Sequence, residues 1–213
     1  MLKIEVIPVS LFMQNSSLIW DDETKEAIIV DAGDEAQKLI SYVEERNLKP
    51  VYLINTHCHI DHVGAVAELK EYFGIPFYCH KDEDFWLEQL EFQASRFGFS
   101  KAPETPEVDQ FIDDRSVLTV GKYRFEVIHT PGHTPGGCCF YFETEKLLIA
   151  GDTLFAGSIG RTDFPRGSFD DLSSAIKTKL FILDPETVVY PGHGPTTTIG
   201  EERDTNPFVG QYS

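Results

Sequence analysis

Residues 56–62 of this chain read Thr-His-Cys-His-Ile-Asp-His and closely follow the apolar run Val-Tyr-Leu-Ile at 51–54. A short apolar run placed directly after a proline predicts a buried strand. His57 and His59 are two residues apart, so in an extended chain they project to the same side and can share a metal ion. Asp61 and His62 follow where a helix begins, and the turn there can direct them towards a second position nearby. Packing offers no reason to collect these residue types at a strand end, so the segment predicts two adjacent metal sites.

Three later residues can supply the further ligands that a pair of divalent ions would need. His133 lies in the segment 130–137, where two prolines and three glycines fix a loop that can hold a rigid ligand. Asp152 follows the apolar run at 147–150, and its carboxylate can bridge two cations where an imidazole cannot. His193 lies in Pro-Gly-His-Gly-Pro at 191–195, after another predicted strand. We therefore add these residues to the candidate metal ligands.

The hydrophobic pattern predicts strands and helices in both halves of the chain. Strands are predicted at 4–9, 17–20, 27–30, 51–54, 123–127, 138–142, 147–150 and 187–190. Helices are predicted around 39–43 and over 63–73, 82–97 and 169–180. The proline-containing segment 98–110 is expected to be an exposed loop at one edge of a substrate cleft. The pattern indicates an α/β protein with two mixed sheets and helices outside them, and the length indicates a single domain, 1–213.

Composition narrows the classes of partner and compartment. The formal net charge of -17 disfavours nucleic acids and anionic membrane surfaces as partners, although bound cations can still make a site attract an anionic substrate. The four cysteines show no framework spacing and are expected to be free thiols, with Cys58 a small buried residue between two ligands. No signal-peptide pattern opens the sequence and no apolar stretch is long enough to span a membrane. A cytoplasmic protein with a small-molecule substrate is expected.

The order and context of these segments resemble the metallo-β-lactamase superfamily over nearly the whole chain. Residues 160–167 read Gly-Arg-Thr-Asp-Phe-Pro-Arg-Gly, and residues 191–203 read Pro-Gly-His-Gly-Pro-Thr-Thr-Thr-Ile-Gly-Glu-Glu-Arg, with Asn-Pro-Phe at 206–208. Within the superfamily these segments resemble the small single-domain relatives of the type II glyoxalases, the hydroxyacylglutathione hydrolases. The resemblance implies an αββα sandwich of two mixed β-sheets flanked by helices, with metals at one edge between the sheets.

The resemblance also implies a ligand set. One metal would be held by His57, His59 and His133, the other by Asp61, His62 and His193, and Asp152 would bridge them. These ligands imply two divalent ions, zinc in the first place, with iron or manganese also compatible with imidazole and carboxylate donors.

The activity implied is that of a zinc-dependent thioesterase acting on a substrate such as S-lactoylglutathione. A water between the two ions would lose its proton near neutral pH and attack the thioester carbonyl, giving a hydroxy acid and a thiol. Asp61 and Asp152 would be the catalytic carboxylates, Asp61 with a secondary role as proton acceptor. Longer type II glyoxalases carry a C-terminal helical extension that supplies much of the glutathione surface, whereas this chain ends 20 residues after His193, so the thiol carrier stays open.

Residues around the ligands receive more general assignments. Asp31 resembles a buried aspartate that braces the metal loop, with an exposed turn residue as the alternative. Arg161 and Asp163 would line the cleft or brace a loop through an ion pair.

Lactone hydrolysis remains open as a side possibility, and two functions of other classes also remain open. The first is a persulfide dioxygenase of the same fold, with a single iron held by His57, His133 and Asp152. The second is a catalytically idle metal-binding protein, which the donor set disfavours because closed structural zinc sites favour four ligands, often cysteines. Exported β-lactamases and nucleases acting on polyanions fit the sequence less well.

Overall fold

The computed structural model describes residues 1–211. The strands are β1 (Leu2–Val9), β2 (Gln14–Asp21), β3 (Glu26–Val30), β4 (Lys49–Ile54), β5 (Phe77–His80), β6 (Gln110–Ile112), β7 (Val117–Val120), β8 (Tyr123–His129), β9 (Cys138–Phe142), β10 (Leu147–Gly151), β11 (Leu154–Phe155), β12 (Ser158–Ile159), β13 (Val188–Pro191) and β14 (Thr197–Thr198). The α-helices are α1 (Ala36–Glu45), α2 (Ile60–Val63), α3 (Val66–Phe73), α4 (Asp84–Leu87), α5 (Leu90–Phe97), α6 (Phe169–Ala175) and α7 (Ile199–Thr205). A 3₁₀ turn covers Lys81–Glu83, and a π-helical segment, Ile176–Leu180, continues α6.

The chain divides into two compact units. The first comprises Met1–Ile112 with Thr119–Tyr123, and the second comprises Asp113–Leu118 with the chain from Arg124 onwards. No helix in residues 1–211 combines the length and apolar character that crossing a membrane requires.

The first unit contains a six-stranded mixed sheet in the order β1-β2-β3-β4-β5-β6. β1, β2 and β3 pair antiparallel, whereas β3, β4, β5 and β6 pair parallel. Parallel neighbours require crossover connections, and the helices α1 to α5 lie in those connections. The predicted apolar face of α1 is buried through Leu39, Ile40 and Val43. Because the parallel strands share one direction, their carboxyl ends lie at one edge of the sheet.

The second sheet also has six strands and is mixed, in the order β14-β13-β10-β9-β8-β7. β10 pairs antiparallel with β9 and parallel with β13. The helical segment from α6 onwards buries Leu172, Ile176 and Leu180, which are spaced by four residues and so lie on one face. These side chains pack in the core of the second unit with Leu148 and Val189 of its sheet.

The predicted helix at 63–73 is interrupted in the structure by Gly64 and Ala65, which separate α2 from α3. The backbone of this bend packs against the segment that follows β3. A Cβ on Gly64 would lie 2.4 Å from the carbonyl oxygen of Gly33, and the N–H of Ala65 donates to the carbonyl of Ala32 at 2.9 Å. Tertiary contacts therefore override the continuous helical pattern.

The sequence analysis missed seven elements, β5, β6, β7, β11, β12, β14 and α7, and joined others. The predicted helix at 82–97 consists of the 3₁₀ turn, α4 and α5. The missed strands have only two to four residues each, and β6 and β7 are largely exposed, so they show little alternation.

Candidate metal centre

The first group of predicted ligands lies at the carboxyl edge of the parallel strands β3 and β4. The register pairs Val30 with Ile54, the last residues of the two strands. The next residues therefore leave the sheet side by side, and the N–H of Asp31 donates to the carbonyl of Ile54 at 3.1 Å. The motif at 56–62 starts at the same edge.

Asp31 is buried and accepts hydrogen bonds from the residues around it. Its carboxylate receives the backbone N–H and the side-chain hydroxyl of Thr56, each at 2.7 Å, and lies 3.0 Å from Nδ1 of His62. A carboxylate can only accept here, so the Nδ1–H of His62 donates and the Nε2 lone pair becomes the acceptor position of that ring. Asp31 is thus a buried residue hydrogen-bonded to Thr56 and His62, and not an exposed turn residue.

The same reasoning fixes the tautomer of His57. The Thr56 hydroxyl gives its proton to Asp31, so its oxygen accepts from Nδ1 of His57, 3.2 Å away. The Nε2 lone pair of His57 is then the side available to a cation, as for His62.

The side chains of the motif lie close together within the first unit. The His57 ring centroid is 4.8 Å from that of His59 and 4.0 Å from that of His62. Asp61 lies beside them, with 4.0 Å between its Oδ2 and Nε2 of His62. Trp86 packs edge-on against the His59 ring at 4.3 Å. The four predicted ligands of this segment are therefore brought together.

Buried polar side chains hold the backbone of this loop from elsewhere in the first unit. Glu83 accepts the N–H of Cys58 at 2.7 Å, and Gln93 accepts the N–H of Ile60 at 2.9 Å. Sequence reasoning missed Glu83, Gln93 and Thr56. Thr56 adjoins the motif and could have been suspected, but Glu83 and Gln93 look like the polar face of a surface helix.

Cys58 is fully buried, as predicted. Burial raises the pKa of its thiol well above the ordinary value, with a further contribution from the neighbouring Cys79. Cys58 therefore lies in the interior as a small packing residue.

The second group lies at the carboxyl ends of β10 and β13, which run parallel. Asp152 follows β10 and His193 follows β13, and the N–H of Gly192 donates to the carbonyl of Gly151 at 2.8 Å. This pairing brings Oδ2 of Asp152 to 3.7 Å from Nε2 of His193. Nε2 of His133 is 3.6 Å from the same oxygen. Asp152 thus stands between two imidazoles of the second unit.

His133 is oriented by a backbone carbonyl. Its Nδ1 lies 2.7 Å from the carbonyl oxygen of Arg161, which can only accept, so Nδ1–H donates and Nε2 faces Asp152. Gly160 allows its own segment to lie close to the backbone of Asp152, because a Cβ on Gly160 would lie 1.8 Å from the carbonyl oxygen of Asp152. The backbone at Gly160 therefore packs directly against the backbone at Asp152.

The side chains of Arg161 and Asp163 point elsewhere. They form an exposed pair with two contacts of 2.7 Å, and the guanidinium lies 4.1 Å from the centre of the Phe164 ring. Arg161 holds the pKa of Asp163 below its ordinary value through this hydrogen-bonded pair. Among the contacts described for Arg161, the one with a predicted ligand is the hydrogen bond that its backbone carbonyl accepts from His133.

Comparison with known proteins agrees with this geometry. The model of the metallo-beta-lactamase superfamily matches residues 9–193. Hydroxyacylglutathione hydrolase GloC of Haemophilus influenzae is 45% identical over 219 residues, covering 100% of both chains. The probable metallo-hydrolase YqgX of Bacillus subtilis is 35% identical over 207 residues, covering 97% of each.

Solved structures give the same picture. The B3 metallo-beta-lactamase BLEG-1 has a TM-score of 0.90 at 38% identity, covering 97% of this chain and 99% of its own. TTHA1623 in a di-iron-bound form has a TM-score of 0.87 at 36% identity, covering 96% and 99%. ETHE1 from Myxococcus xanthus has a TM-score of 0.79 at 26% identity, covering 97% and 84%. The chain therefore belongs to the metallo-beta-lactamase superfamily, as a metallohydrolase with that superfamily's fold of two mixed sheets and flanking helices.

Proposed function

We propose that this chain is a binuclear metallohydrolase that cleaves a hydroxyacyl thioester, such as S-lactoylglutathione, to a hydroxy acid and a thiol. The observation that carries the proposal is the shared tautomer of His57, His62 and His133, each of which donates through Nδ1. Metal-bound histidines characteristically donate their second N–H to a carboxylate, carbonyl or similar acceptor, which aims the other nitrogen at the ion. The name of the relative from Haemophilus influenzae supports the substrate class.

The donor set fits two divalent ions. The proposed ligands are His57, His59 and His133 for one ion, Asp61, His62 and His193 for the other, and Asp152 for both. Imidazoles and carboxylates without a thiolate suit zinc, iron or manganese, and a related protein has been crystallised with two irons. When bound, the ions supply Lewis-acid activation of water and of the substrate carbonyl.

The chain's own residues position these donors. Asp31 locks the ring of His62 directly and that of His57 through Thr56, and the carbonyl of Arg161 locks His133. Asp61 is less buried than the neighbouring His62, so it is the carboxylate we assign a secondary role as proton acceptor.

A second candidate is a persulfide dioxygenase with one iron held by His57, His133 and Asp152. The observation that favours it is local: Nε2 of His133 lies 3.6 Å from Oδ2 of Asp152, and the carbonyl of Arg161 orients the His133 ring. One ion could therefore bind while the other position stays vacant.

Metal analysis combined with two assays distinguishes these functions. The chain is purified without chelator, its metals are quantified, and thiol release from S-lactoylglutathione is followed beside oxygen uptake with glutathione persulfide. His57→Ala is the test variant and His80→Ala its matched control, because both residues lie at the carboxyl ends of parallel strands in the same sheet. A chromogenic cephalosporin serves as a third substrate, given the similarity to a B3 metallo-beta-lactamase.

Two metals per chain with thiol release, lost in His57→Ala and kept in His80→Ala, are the expected results. A single iron with oxygen uptake and no thiol release would replace the proposal by the second candidate. Hydrolysis of the cephalosporin alone would overturn the thioester substrate while leaving the metal assignment intact.

A further inference from the structure

The hairpin of β11 and β12 connects two parts of the second unit that bear on the proposed ligands. It begins two residues after Asp152 and ends two residues before Arg161, whose carbonyl orients His133. At its base the N–H of Gly160 donates to the carbonyl of Thr153 at 3.3 Å. Any displacement of this hairpin would therefore reach Asp152 on one side and His133 on the other.

The turn of the hairpin is held by Glu202, a buried carboxylate on α7. The N–H of Gly157 donates to both carboxylate oxygens, at 3.1 and 3.0 Å. The Thr197 hydroxyl donates to Oε1 at 2.7 Å, and the Asn206 amide donates to Oε2 at 2.7 Å. Four donor contacts thus converge on one carboxylate, which lies nine residues after His193 and is not itself a proposed ligand.

Asn206 completes the network and is also buried. Its amide nitrogen donates to the carbonyl of Ser158 at 3.0 Å as well as to Glu202. Its amide oxygen accepts the N–H groups of Phe208 and Val209 at 3.0 and 3.3 Å. The N–H of Gly157, in the hairpin turn, and the carbonyl of Ser158, the first residue of β12, are therefore bound by the same pair of side chains.

Burying a carboxylate and an amide has a desolvation cost that an apolar pair would avoid, and such a network specifies one geometry when every member is satisfied. We propose that Glu202 and Asn206 are positioning residues for the candidate metal centre, which fix the β11–β12 hairpin and with it Asp152 and the carbonyl that orients His133. This inference rests on the ligand roles proposed above for Asp152 and His133.

The test is cobalt binding by Glu202→Gln, with Glu201→Gln as the matched control. The substitution turns one oxygen into an N–H₂ donor among partners that are all donors, so at least one hydrogen bond is lost. Glu201 lies on the same helix, is exposed, and accepts only from Thr205 among the contacts the structure gives its carboxylate. Cobalt(II) is added to the metal-free protein, and its affinity is measured by competition with a chelator. The visible absorption spectrum of the cobalt-loaded protein is recorded well below the unfolding temperature.

We expect Glu202→Gln to bind cobalt about 10–100-fold more weakly with an altered spectrum, the range typical for residues that support metal ligands, and Glu201→Gln to match wild type. A folded Glu202→Gln with wild-type cobalt affinity and spectrum would overturn the inference, even if it unfolds at a lower temperature. If Glu202→Gln does not fold, Thr197→Val removes one hydrogen bond to the same carboxylate at nearly constant shape and is judged by the same criteria.

The proposed function can fail separately. A wild-type chain that binds no cobalt overturns the ligand roles and this inference together. A wild-type chain that binds cobalt and depends on Glu202, yet releases no thiol from S-lactoylglutathione, overturns only the substrate.

Discussion

Asp31 determines the orientation of two predicted ligands from one buried position. Its backbone φ of 52° lies in the left-handed region, where asparagine and aspartate are the side chains best tolerated after glycine. Its carboxylate receives both groups of Thr56 and the ring of His62. An asparagine at position 31 can keep the backbone conformation but offers only one acceptor oxygen. The substitution Asp31→Asn therefore tests the hydrogen bonds of the carboxylate without adding backbone strain.

We predict that Asp31→Asn lowers metal affinity about 10–100-fold, because His62 and, through Thr56, His57 lose their orienting acceptor. Isothermal titration of the metal-free protein with zinc measures the change. Asp22→Asn is the control, since Asp22 is exposed and paired with Lys25. Equal zinc affinities for the two variants would contradict the bracing role of Asp31.

Gly160 is required by the close approach of two backbones, and its φ is not in the left-handed region. The Cβ of Gly160→Ala would meet the carbonyl oxygen of Asp152 and lie 3.2 Å from Cβ of His133. We predict a loss of about 3 kcal/mol in the free energy of unfolding and weaker metal binding. Gly74→Ala, where space is open but φ is +64°, should cost about 1 kcal/mol without changing metal affinity. Urea denaturation of both variants measures the two losses in the free energy of unfolding. A smaller loss in Gly160→Ala than in Gly74→Ala would contradict the prediction.

Strand ends explain why so much of the candidate site could be read from the sequence. Histidine or aspartate within three residues of the end of an apolar strand, as at His57, Asp152 and His193, indicates side chains at one edge of a sheet. The spatial partners were not readable, because Glu202 and Gln93 carry no local signal that separates a buried hydrogen-bonding residue from a solvated one. Asp31 was identified through the family resemblance, and the structure supplied its contacts.

Short elements were the least predictable part of the fold. β5 has four residues between two helical regions, and its pairing with β4 depends on tertiary contacts rather than on its own pattern. The break between α2 and α3 likewise depends on Gly33, which lies far away in sequence.

The start of α6 supports the His133 loop through the backbone alone. Ser168 caps this helix by accepting the N–H of Asp171 at 3.2 Å, while its own N–H donates to the carbonyl of Gly132 at 2.8 Å. We predict that Ser168→Ala costs about 1 kcal/mol of stability through the lost cap and leaves metal affinity unchanged, because the backbone bond remains. Thermal unfolding and zinc titration measure the two quantities. A tenfold loss of zinc affinity would show that the side chain itself supports the loop.

Metal removal should affect the stability of the whole chain if the proposed ligands bind in the folded state only. Free metal at 100 times its dissociation constant stabilises a protein by about 2.7 kcal/mol, which corresponds to about 5–10 °C for a chain of this size. We predict that a chelator lowers the unfolding temperature by this order and that zinc restores it. Calorimetry with and without chelator measures the shift. If His57→Ala and wild type unfold at the same temperature after zinc addition, the predicted stabilisation by metal at the proposed ligands is contradicted.

The burial of all four cysteines has a consequence for the thiol-releasing activity proposed for this chain. Disulfides formed by oxidation of a released thiol readily exchange with accessible protein thiolates to give mixed disulfides, whereas a buried thiol is out of their reach. The chain should therefore tolerate glutathione disulfide without a reductant. Native protein should react with far less than one equivalent of a chromogenic disulfide reagent over minutes, and denatured protein with four. Fast labelling of the native chain would reveal an opening motion that exposes its buried cysteines to disulfides in solution.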